Sequence, residues 1–254
     1  MTVLPSLPAA FLSHPIAHRA YHDKTAGRPE NSLAAVRAAV DAGYGIEIDL
    51  QLSSDGVPMV FHDYDLGRLT QSEGPLAARN AVALTATPLR HGSEGIPTLT
   101  EVLDCVAGRV PLLIEIKDQD GALGPNIGAL EAATAEALLG YDGPVALMSF
   151  NPHSIAAMAQ LAPHIPRGLT TSAYLPADWA PVPAAVCNVL RDIPDYDRTG
   201  SCFISHEAAD LGRPRVAALR AKGATILCWT IRSPKAEAEA RLIAQNITFE
   251  GYAA

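Results

Sequence analysis

The sequence predicts an α/β fold, a (β/α)₈ TIM barrel with a small cap inserted after the second barrel strand. Eight short apolar or β-branched runs alternate with alanine-rich amphipathic stretches along the 254 residues. Such alternation is typical of parallel strands joined by right-handed helical crossovers. The first run ends at Arg19 and is followed by Ala20-Tyr21-His22 rather than by a glycine-rich phosphate turn. This disfavours the rival open, doubly wound sheet.

The elements follow one another without a linker, repeat or low-complexity tract, so we expect a single domain over residues 1–254. The predicted strands are Pro15–Arg19, Gly45–Leu50, Pro111–Lys117, Pro144–Phe150, Arg167–Thr171, Cys202–His206, Ala224–Ile231 and Ile247–Gly251. The predicted helices are Ser32–Ala42, Leu99–Ala107, Ile127–Leu139, Pro152–Leu161, Arg213–Lys222 and Pro234–Ala244, with a weaker pattern over Pro183–Leu190.

Residues 51–97 depart from this alternation. The turn Ser53-Ser54-Asp55-Gly56 separates Gln51-Leu52 from Val57–Phe61, and Asp-Gly between apolar runs is typical of a hairpin. Tyr64–Pro97 is loop-like and weakly periodic. A loop in this position lies over the C-terminal face of a barrel, where barrel active sites form. We therefore expect residues 51–97 to form a cap.

Composition excludes some partners. The 19 basic residues against 27 acidic ones leave a formal charge of −8, which argues against nucleic acid. Four cysteines without a Cys-x-x-Cys pair fit free thiols in a reducing compartment. Met1–Leu12 has no basic region typical of a signal peptide, and no apolar run reaches the ~18 residues of a membrane span. We expect a cytoplasmic protein, whose oligomeric state the sequence leaves open.

Acidic side chains mark two of the predicted strands. Glu47 and Asp49 are two residues apart, so on a strand both carboxylates point to one face while the flanking isoleucines and leucine point to the other. Glu115 and Lys117 repeat this spacing on the next strand. Burying adjacent carboxylates is costly unless a cation compensates them. Three carboxylates favour Mg²⁺ or Ca²⁺ over zinc, although the spacing alone fits a structural ion-pair network equally well.

Two histidines favour the functional interpretation. His18 closes the first predicted strand, and His62 closes the hairpin. Beside three acids at strand ends, they form a candidate general acid/base pair. Arg19 and Lys117 supply fixed positive charge for a phosphate, and Arg19 offers a bidentate fork.

The order and spacing of these motifs resemble the glycerophosphodiester phosphodiesterase family. The resemblance continues through Ser149-Phe150 after the fourth predicted strand and Trp229-Thr230 at the seventh, so it covers nearly the whole chain. Each motif is weak alone, but the combination is specific. The motifs are His18-Arg19, Pro29-Glu30-Asn31-Ser32, Glu47-Ile48-Asp49, Asp55-Gly56, Val60-Phe61-His62-Asp63 and Glu115-Ile116-Lys117.

The resemblance implies a TIM barrel with a small insertion after its second strand. It also implies hydrolysis of a small-molecule glycerophosphodiester to glycerol phosphate and an alcohol, with one divalent cation, Mg²⁺ or Ca²⁺, as cofactor. The implied roles are metal ligation by Glu47, Asp49 and Glu115, acid/base catalysis by His18 and His62, and phosphate binding by Arg19 and Lys117.

The chain departs from the family pattern at two places. Ala20 stands where the family usually has glycine, and we expect its methyl group to narrow the pocket slightly. The last strand reads Asn246-Ile247-Thr248-Phe249-Glu250-Gly251 in place of Asp-Gly-x-x-Thr-Asp. This altered carboxylate chemistry bears on substrate preference rather than on reaction class.

Three neighbouring residues have weaker expectations. Asn31 is predicted to cap the first helix, and Glu30 to brace the catalytic histidines. Trp229, at a strand end, belongs either to the core or to a wall of the substrate site.

Two alternatives remain open. A phospholipase D-like enzyme acting on lysophospholipids generally has aspartate where this chain has Glu115, and it needs an apolar rim, whereas the cap is polar at Gln71-Ser72-Glu73 and Arg90-His91. A catalytically silent phosphodiester-binding barrel would have lost a ligand or a histidine, and all five are present. The nucleophile, water or a glycerol hydroxyl that forms a cyclic phosphate, also stays open.

Overall fold

The computed structural model describes residues 5–254, so the first four residues of the predicted N-terminal segment Met1–Leu12 lie outside the described part. Eight parallel strands close into a barrel, because β1 (Ile16–Ala17) pairs with both β2 (Gly45–Leu52) and β9 (Asn246–Phe249). The remaining strand, β3 (Pro58–Val60), pairs antiparallel with β2 in the predicted hairpin. The strands are β1 Ile16–Ala17, β2 Gly45–Leu52, β3 Pro58–Val60, β4 Leu112–Ile116, β5 Val145–Ser149, β6 Arg167–Thr171, β7 Phe203–Glu207, β8 Thr225–Ile231 and β9 Asn246–Phe249.

Helices connect the strands in the alternation of a (β/α)₈ TIM barrel, which confirms the predicted fold class. They are α1 Ala10–Ser13, α2 Leu33–Ala42, α3 Ala81–Thr85, α4 Leu99–Val106, α5 Ala129–Ala137, α6 Pro152–Leu161, α7 Ala184–Leu190, α8 Pro214–Ala221 and α9 Pro234–Ala240. Between residues 5 and 254, no helix has the length and apolar character needed to cross a membrane.

The predicted elements are present, but several are shorter than predicted. The first strand covers only Ile16–Ala17, so His18 and Arg19 follow it rather than belong to it. Two short helices, α1 and α3, were not predicted, because four or five residues cannot show a helical period.

Hydrophobic side chains lie on both sides of the strands. The outward face of β2, with Ile46, Ile48 and Leu50, is buried in the main core together with residues of α2 and α4. Inside the barrel, a smaller cluster fills the end opposite the site and includes Phe11 of α1. Gly168 is required there, because a Cβ atom on it would lie 2.5 Å from the Phe203 side chain. The apolar filling of the lower barrel leaves the upper end for polar chemistry.

The segment from residue 51 to residue 97 has a hydrophobic cluster of its own. Its helical parts are the 3₁₀ turn Leu76–Ala78 and helix α3. The buried residues of this cluster are Met59, Phe61, Leu66, Leu69, Leu76, Leu84, Leu89 and Ile96. Their spacing follows neither a helical nor a strand period, which explains why the sequence showed only a loop. The cap is therefore a packed unit rather than an open loop.

Candidate active site

A cavity of about 660 Å³ opens at the carboxyl ends of the barrel strands. Eight of the nine predicted site residues line it, and Glu30 lies behind Arg19. The cap contributes His62, Asp63, Tyr64 and Asp65, all from the segment directly after β3. One side of the cavity carries the charged residues, and the other side carries aromatic and hydroxyl side chains.

Three carboxylates converge at the base of the charged side. Glu47 and Asp49 come from β2, and Glu115 comes from the neighbouring strand β4, where it pairs in register with Asp49. Carboxylate oxygens of the three residues lie within 4.8 Å of one another, and each residue is at most 6% exposed. The alternation of side chains along β2 and β4 therefore places three acids at one point, as predicted.

Fixed donors surround this triad. The Lys117 ammonium lies 2.9 Å from Glu115 Oε1 and 3.5 Å from Asp49 Oδ1. The Arg19 backbone N–H donates to Glu47 Oε2 at 2.8 Å, and Asn31 Nδ2 donates to Asp49 Oδ2 at 2.9 Å. The ion-pair network that the acid spacing suggested is thus present. It does not neutralise the triad, because three carboxylates face one buried lysine and a more distant guanidinium.

The charge imbalance separates the acidities of two neighbouring acids. Burial, together with the charges of Asp49 and Glu115, raises the pKa of Glu47 well above its ordinary value. Burial acts on Asp49 in the same direction, but the charges of His62, Lys117 and Arg19 outweigh it and hold the pKa of Asp49 below its ordinary value. A cation bound beside Glu47 would oppose this shift and favour its ionised form.

His18 is held from the far end of the chain. Its Nδ1 lies 2.6 Å from Oε2 of Glu250, which follows the last strand β9. Arg232 donates to the other Glu250 oxygen at 2.8 Å. Burial lowers the pKa of His18, and the hydrogen bond to Glu250 opposes that shift only in part. The Nε2 atom is the one left to face a ligand.

His62 is held by its sequence neighbour. Its Nδ1 lies 2.7 Å from Asp63 Oδ1, and Arg68 pairs with both Asp63 oxygens. Arg68 also donates one hydrogen bond to each carboxylate oxygen of Glu30, which in turn accepts from Arg19 Nη1 at 2.8 Å. Glu30 thus braces the two arginines and reaches the histidines only through them.

Aromatic side chains form the opposite wall. Phe150, after β5, packs edge-on against Trp179 and Trp229, with ring centroids 4.9 and 5.5 Å apart. Trp229 also donates from Nε1 to the Ser205 carbonyl at 3.1 Å. Of the two placements predicted for Trp229, the core or a wall of the site, the structure shows the second, because Trp229 lines the cavity. Trp179 was not predicted, because the loop after β6 carries no motif.

Two smaller predictions are wrong. Ser32, not Asn31, caps α2: its side chain accepts from Ala35 N, whereas Asn31 has φ +58° and turns its amide toward Asp49. The methyl group of Ala20 packs into the main core and not into the cavity. Ala20 has φ +64°, the left-handed region that favours glycine, which gives a backbone reason for the family's preference.

Clustered carboxylates, two carboxylate-backed histidines and fixed cations at the mouth of a parallel barrel define a hydrolase that acts on a phosphate ester. The model of the Glycerophosphoryl diester phosphodiesterase family matches residues 18–248. The chain therefore belongs to this family and is a phosphoric diester hydrolase.

Individual relatives agree with this assignment. A glycerophosphodiester phosphodiesterase from Caldanaerobacter subterraneus is 32% identical over 174 residues, 65% of this chain and 69% of that protein. A phosphodiesterase from Oleispira antarctica, solved in complex with the product sn-glycerol-3-phosphate, is 27% identical with a TM-score of 0.75 over 95% of this chain and 94% of its own. A glycerophosphodiester phosphodiesterase from Parabacteroides distasonis, at 22% identity and a TM-score of 0.72 over 92% and 91% of the two chains, supports the fold alone.

Proposed function

We propose that this enzyme hydrolyses one P–O ester bond of a glycerophosphodiester and releases glycerol phosphate and an alcohol. The observation that carries the proposal is the convergence of a buried acidic triad and two carboxylate-backed histidines on one cavity. The product sn-glycerol-3-phosphate in the related Oleispira structure supports glycerol as one of the two alcohols.

The triad has the donors that Mg²⁺ or Ca²⁺ prefers. Carboxylate oxygens bind these ions at roughly 2.0–2.6 Å, so ligands on opposite sides of one ion lie about 4–5 Å apart. The oxygens of Glu47, Asp49 and Glu115 lie within 4.8 Å of one another, which fits a single ion. When bound, such an ion would neutralise phosphate charge and lower the pKa of a hydroxyl group or water.

The histidines would move the protons. One histidine takes a proton from the nucleophile as its oxygen bonds to phosphorus, and the other gives a proton to the departing alkoxide as the P–O bond breaks. In both rings Nδ1 faces a carboxylate, which fixes the ring and leaves Nε2 for the substrate. We assign the base role to His18, because burial favours its neutral form.

Arg19 and Lys117 would hold the phosphate. Nη1 of Arg19 is engaged by Glu30, whereas its buried Nε lies 3.7 Å from Asp49 Oδ2 and makes no hydrogen bond within residues 5–254. A guanidinium N–H at the cavity wall that makes no hydrogen bond is a donor suited to a phosphate oxygen.

The test is to remove one ligand charge without changing its size. Asp49→Asn should reduce kcat below about 1% of wild type, because a catalytic ion contributes several kcal/mol to the transition state. Chelation should abolish turnover of wild type, and Mg²⁺, Ca²⁺ or Mn²⁺ should restore it. Glu131→Gln is the matched control, a buried carboxylate on α5 that binds Ser154 and lies outside the site. Full activity of Asp49→Asn after chelation would disprove the metal site.

The aromatic wall favours a second candidate, a phospholipase D-like enzyme that releases the head-group alcohol from a lysophospholipid. Phe150, Trp179 and Leu123 line the cavity and would contact the acyl chain of such a substrate. A panel of glycerophosphodiesters and lysophospholipids, with products identified by mass spectrometry, separates the two. We expect the small diesters to be preferred, since the cap side offers Asp63 and Asp65 rather than an apolar rim.

We also propose a cytoplasmic, single-domain enzyme in which residues 51–97 act as the cap. All four cysteines are free, which fits a reducing compartment. Shortening the cap beyond Tyr64 should alter preference among alcohols more than it alters stability. Equal loss on every substrate together with a collapsed Tm would assign the cap a purely structural role.

A further inference from the structure

Three hydroxyl groups on the inner face of the barrel have no hydrogen-bond partner within residues 5–254. They belong to Thr170 on β6, Ser205 on β7 and Thr248 on β9, and each residue is at least 98% buried. Thr170 and Thr248 line the cavity directly. Thr170 pairs in register with Ser205, so the serine lies beside it on the same face.

The neighbouring residues on the same strands show that the lack of hydrogen-bond partners is a property of the inner face. Thr171 and His206 are also register partners, but they point outward, and the Thr171 hydroxyl lies 2.8 Å from His206 Nδ1. Outward polar groups of the same strands thus have partners, whereas the inward hydroxyls do not. On β6 and β7, the unpaired hydroxyl groups are therefore those on the inner face.

An unpaired buried hydroxyl is costly, and valine or alanine would fill the same space without that cost. Three such groups on the inner face of the barrel, two of them lining the cavity, point to a ligand that supplies their partners. Strands β6 to β9 contribute no arginine or lysine to the cavity lining, and Arg232, which follows β8 and lines the cavity, is paired with Glu250, so this wall does not suit a phosphate. A neutral hydroxyl group, which both donates and accepts, matches it.

We propose that Thr170 and Thr248, backed by Ser205, bind the terminal hydroxyl group of the substrate's glycerol unit. The inference rests on the proposed function, because it takes the phosphate of the same substrate to lie at Arg19 and Lys117. We call Thr170, Ser205 and Thr248 the hydroxyl wall. It then selects a polyol over an alcohol that ends in a methyl group, while the aromatic wall faces the second alcohol of the phosphodiester.

The test uses two phosphate monoesters that differ in one hydroxyl group, sn-glycerol 3-phosphate and 1,2-propanediol 1-phosphate. Calorimetry with Mg²⁺ present should show wild type binding the glycerol compound about 2- to 12-fold more tightly, the range for one neutral hydrogen bond. In Thr170→Val and Thr248→Val this ratio of Kd values should fall, and in the double variant it should approach one. Thr170→Ser, which keeps the hydroxyl, should retain the ratio.

Thr134→Val is the matched control, since Thr134 Oγ1 is also buried and unpartnered but lies on α5, outside the cavity. It should leave the ratio unchanged. A ratio of one in wild type, or a wild-type ratio in the folded double variant, would overturn the subsite. If the valine variants do not fold, Thr170→Ala and Thr248→Ala remove the same hydroxyl groups, and the two Thr→Ser variants, which keep them, are the controls.

Failure of the hydroxyl subsite can be distinguished from failure of the proposed reaction, because the first is measured by binding and the second by turnover. A wild-type protein that distinguishes the two monoesters but hydrolyses no glycerophosphodiester keeps the hydroxyl subsite and loses the proposed reaction. A protein that hydrolyses glycerophosphodiesters with a Kd ratio of one keeps the reaction and loses the subsite.

Discussion

The two histidines of the cavity are held in the same way by different parts of the chain. His18 Nδ1 meets a carboxylate 232 residues away, on Glu250, whereas His62 Nδ1 meets the carboxylate of the next residue, Asp63. An arginine lies behind each carboxylate. The first arrangement forms only when the last strand closes the barrel, and the second forms within one hairpin.

The surroundings of the two rings differ as well. The His18 side chain is 14% exposed and the His62 side chain 29%. Arg19 and Ala20, directly after His18, both have positive φ, at 52° and 64°, and no residue from 62 to 68 does. The long-range histidine is therefore the more buried one, in the more strained backbone. The burial of His18 favours its neutral form, which is the basis of the base role that we propose for it.

The largest effect should come from removing either ring. His18→Ala and His62→Ala should each lower kcat about 10²–10⁴-fold, the usual contribution of a positioned proton-transfer group. The two losses should not add, because both groups act in one reaction. Steady-state kinetics on a natural diester would measure this, with metal affinity as the control that should stay unchanged.

A nitrophenyl diester sharpens the comparison. Nitrophenolate leaves without protonation, so this substrate should rescue only the variant that lacks the general acid. We expect rescue of His62→Ala and not of His18→Ala. The reverse pattern would exchange the two roles, and near-normal turnover by both variants on a natural diester would disprove the acid/base pair.

The supporting carboxylates should have smaller effects. Glu250→Gln should lower kcat about 10–150-fold, the equivalent of a hydrogen bond to a charged group worth 1.5–3 kcal/mol. Asp63→Asn should cost less, because His62 is more exposed and water can replace part of its support. KM should change little in either variant. Equal losses would show that burial does not distinguish the two positions.

The two histidines also show how much of the site can be predicted from the sequence. Motifs inside one strand or hairpin place Glu47, Asp49 and His62 correctly, because local alternation determines where they point. Glu250 could not be predicted as the partner of His18, since only barrel closure brings β9 beside β1. The departure of the last strand from the family motif drew attention to Glu250, but the sequence did not show which residue its carboxylate binds.

The hydroxyl wall was equally invisible from the sequence. Thr170 and Ser205 lie on strands without any motif, and an inward threonine differs from an outward one only after the register of β6 and β7 is known. The fold class, in contrast, could be predicted from the alternation of apolar runs and helical stretches alone. That prediction remains correct even when the predicted end of each element is wrong by several residues.

The pH dependence of kcat/KM should reflect the burial of His18. Burial lowers its pKa, so a base at this position is neutral, and active, down to a pH below the ordinary histidine value of about 6.5. The hydrogen bond to Glu250 opposes this shift, so Glu250→Gln should lower the pKa further. The acidic limb should then move to lower pH even as the plateau falls. Movement to higher pH would contradict His18 as the base.

The smallest effect concerns backbone strain beside His18. Ala20→Gly removes a left-handed alanine conformation that costs about 1–2 kcal/mol. It also loses about 0.8 kcal/mol of methyl burial and adds about 0.4–1 kcal/mol of unfolded-chain entropy. These contributions nearly cancel, so the free energy of unfolding should change by less than about 1 kcal/mol.

Ala39→Gly is the matched comparison, an equally buried alanine in the right-handed conformation of α2. Helix propensity and methyl burial act in the same direction there, so this variant should lose about 2 kcal/mol. Urea unfolding of both variants measures the difference between them, about 1–2 kcal/mol, as the strain held at Ala20. Equal destabilisation would mean that the backbone after His18 is unstrained, and that burial alone separates the two histidines.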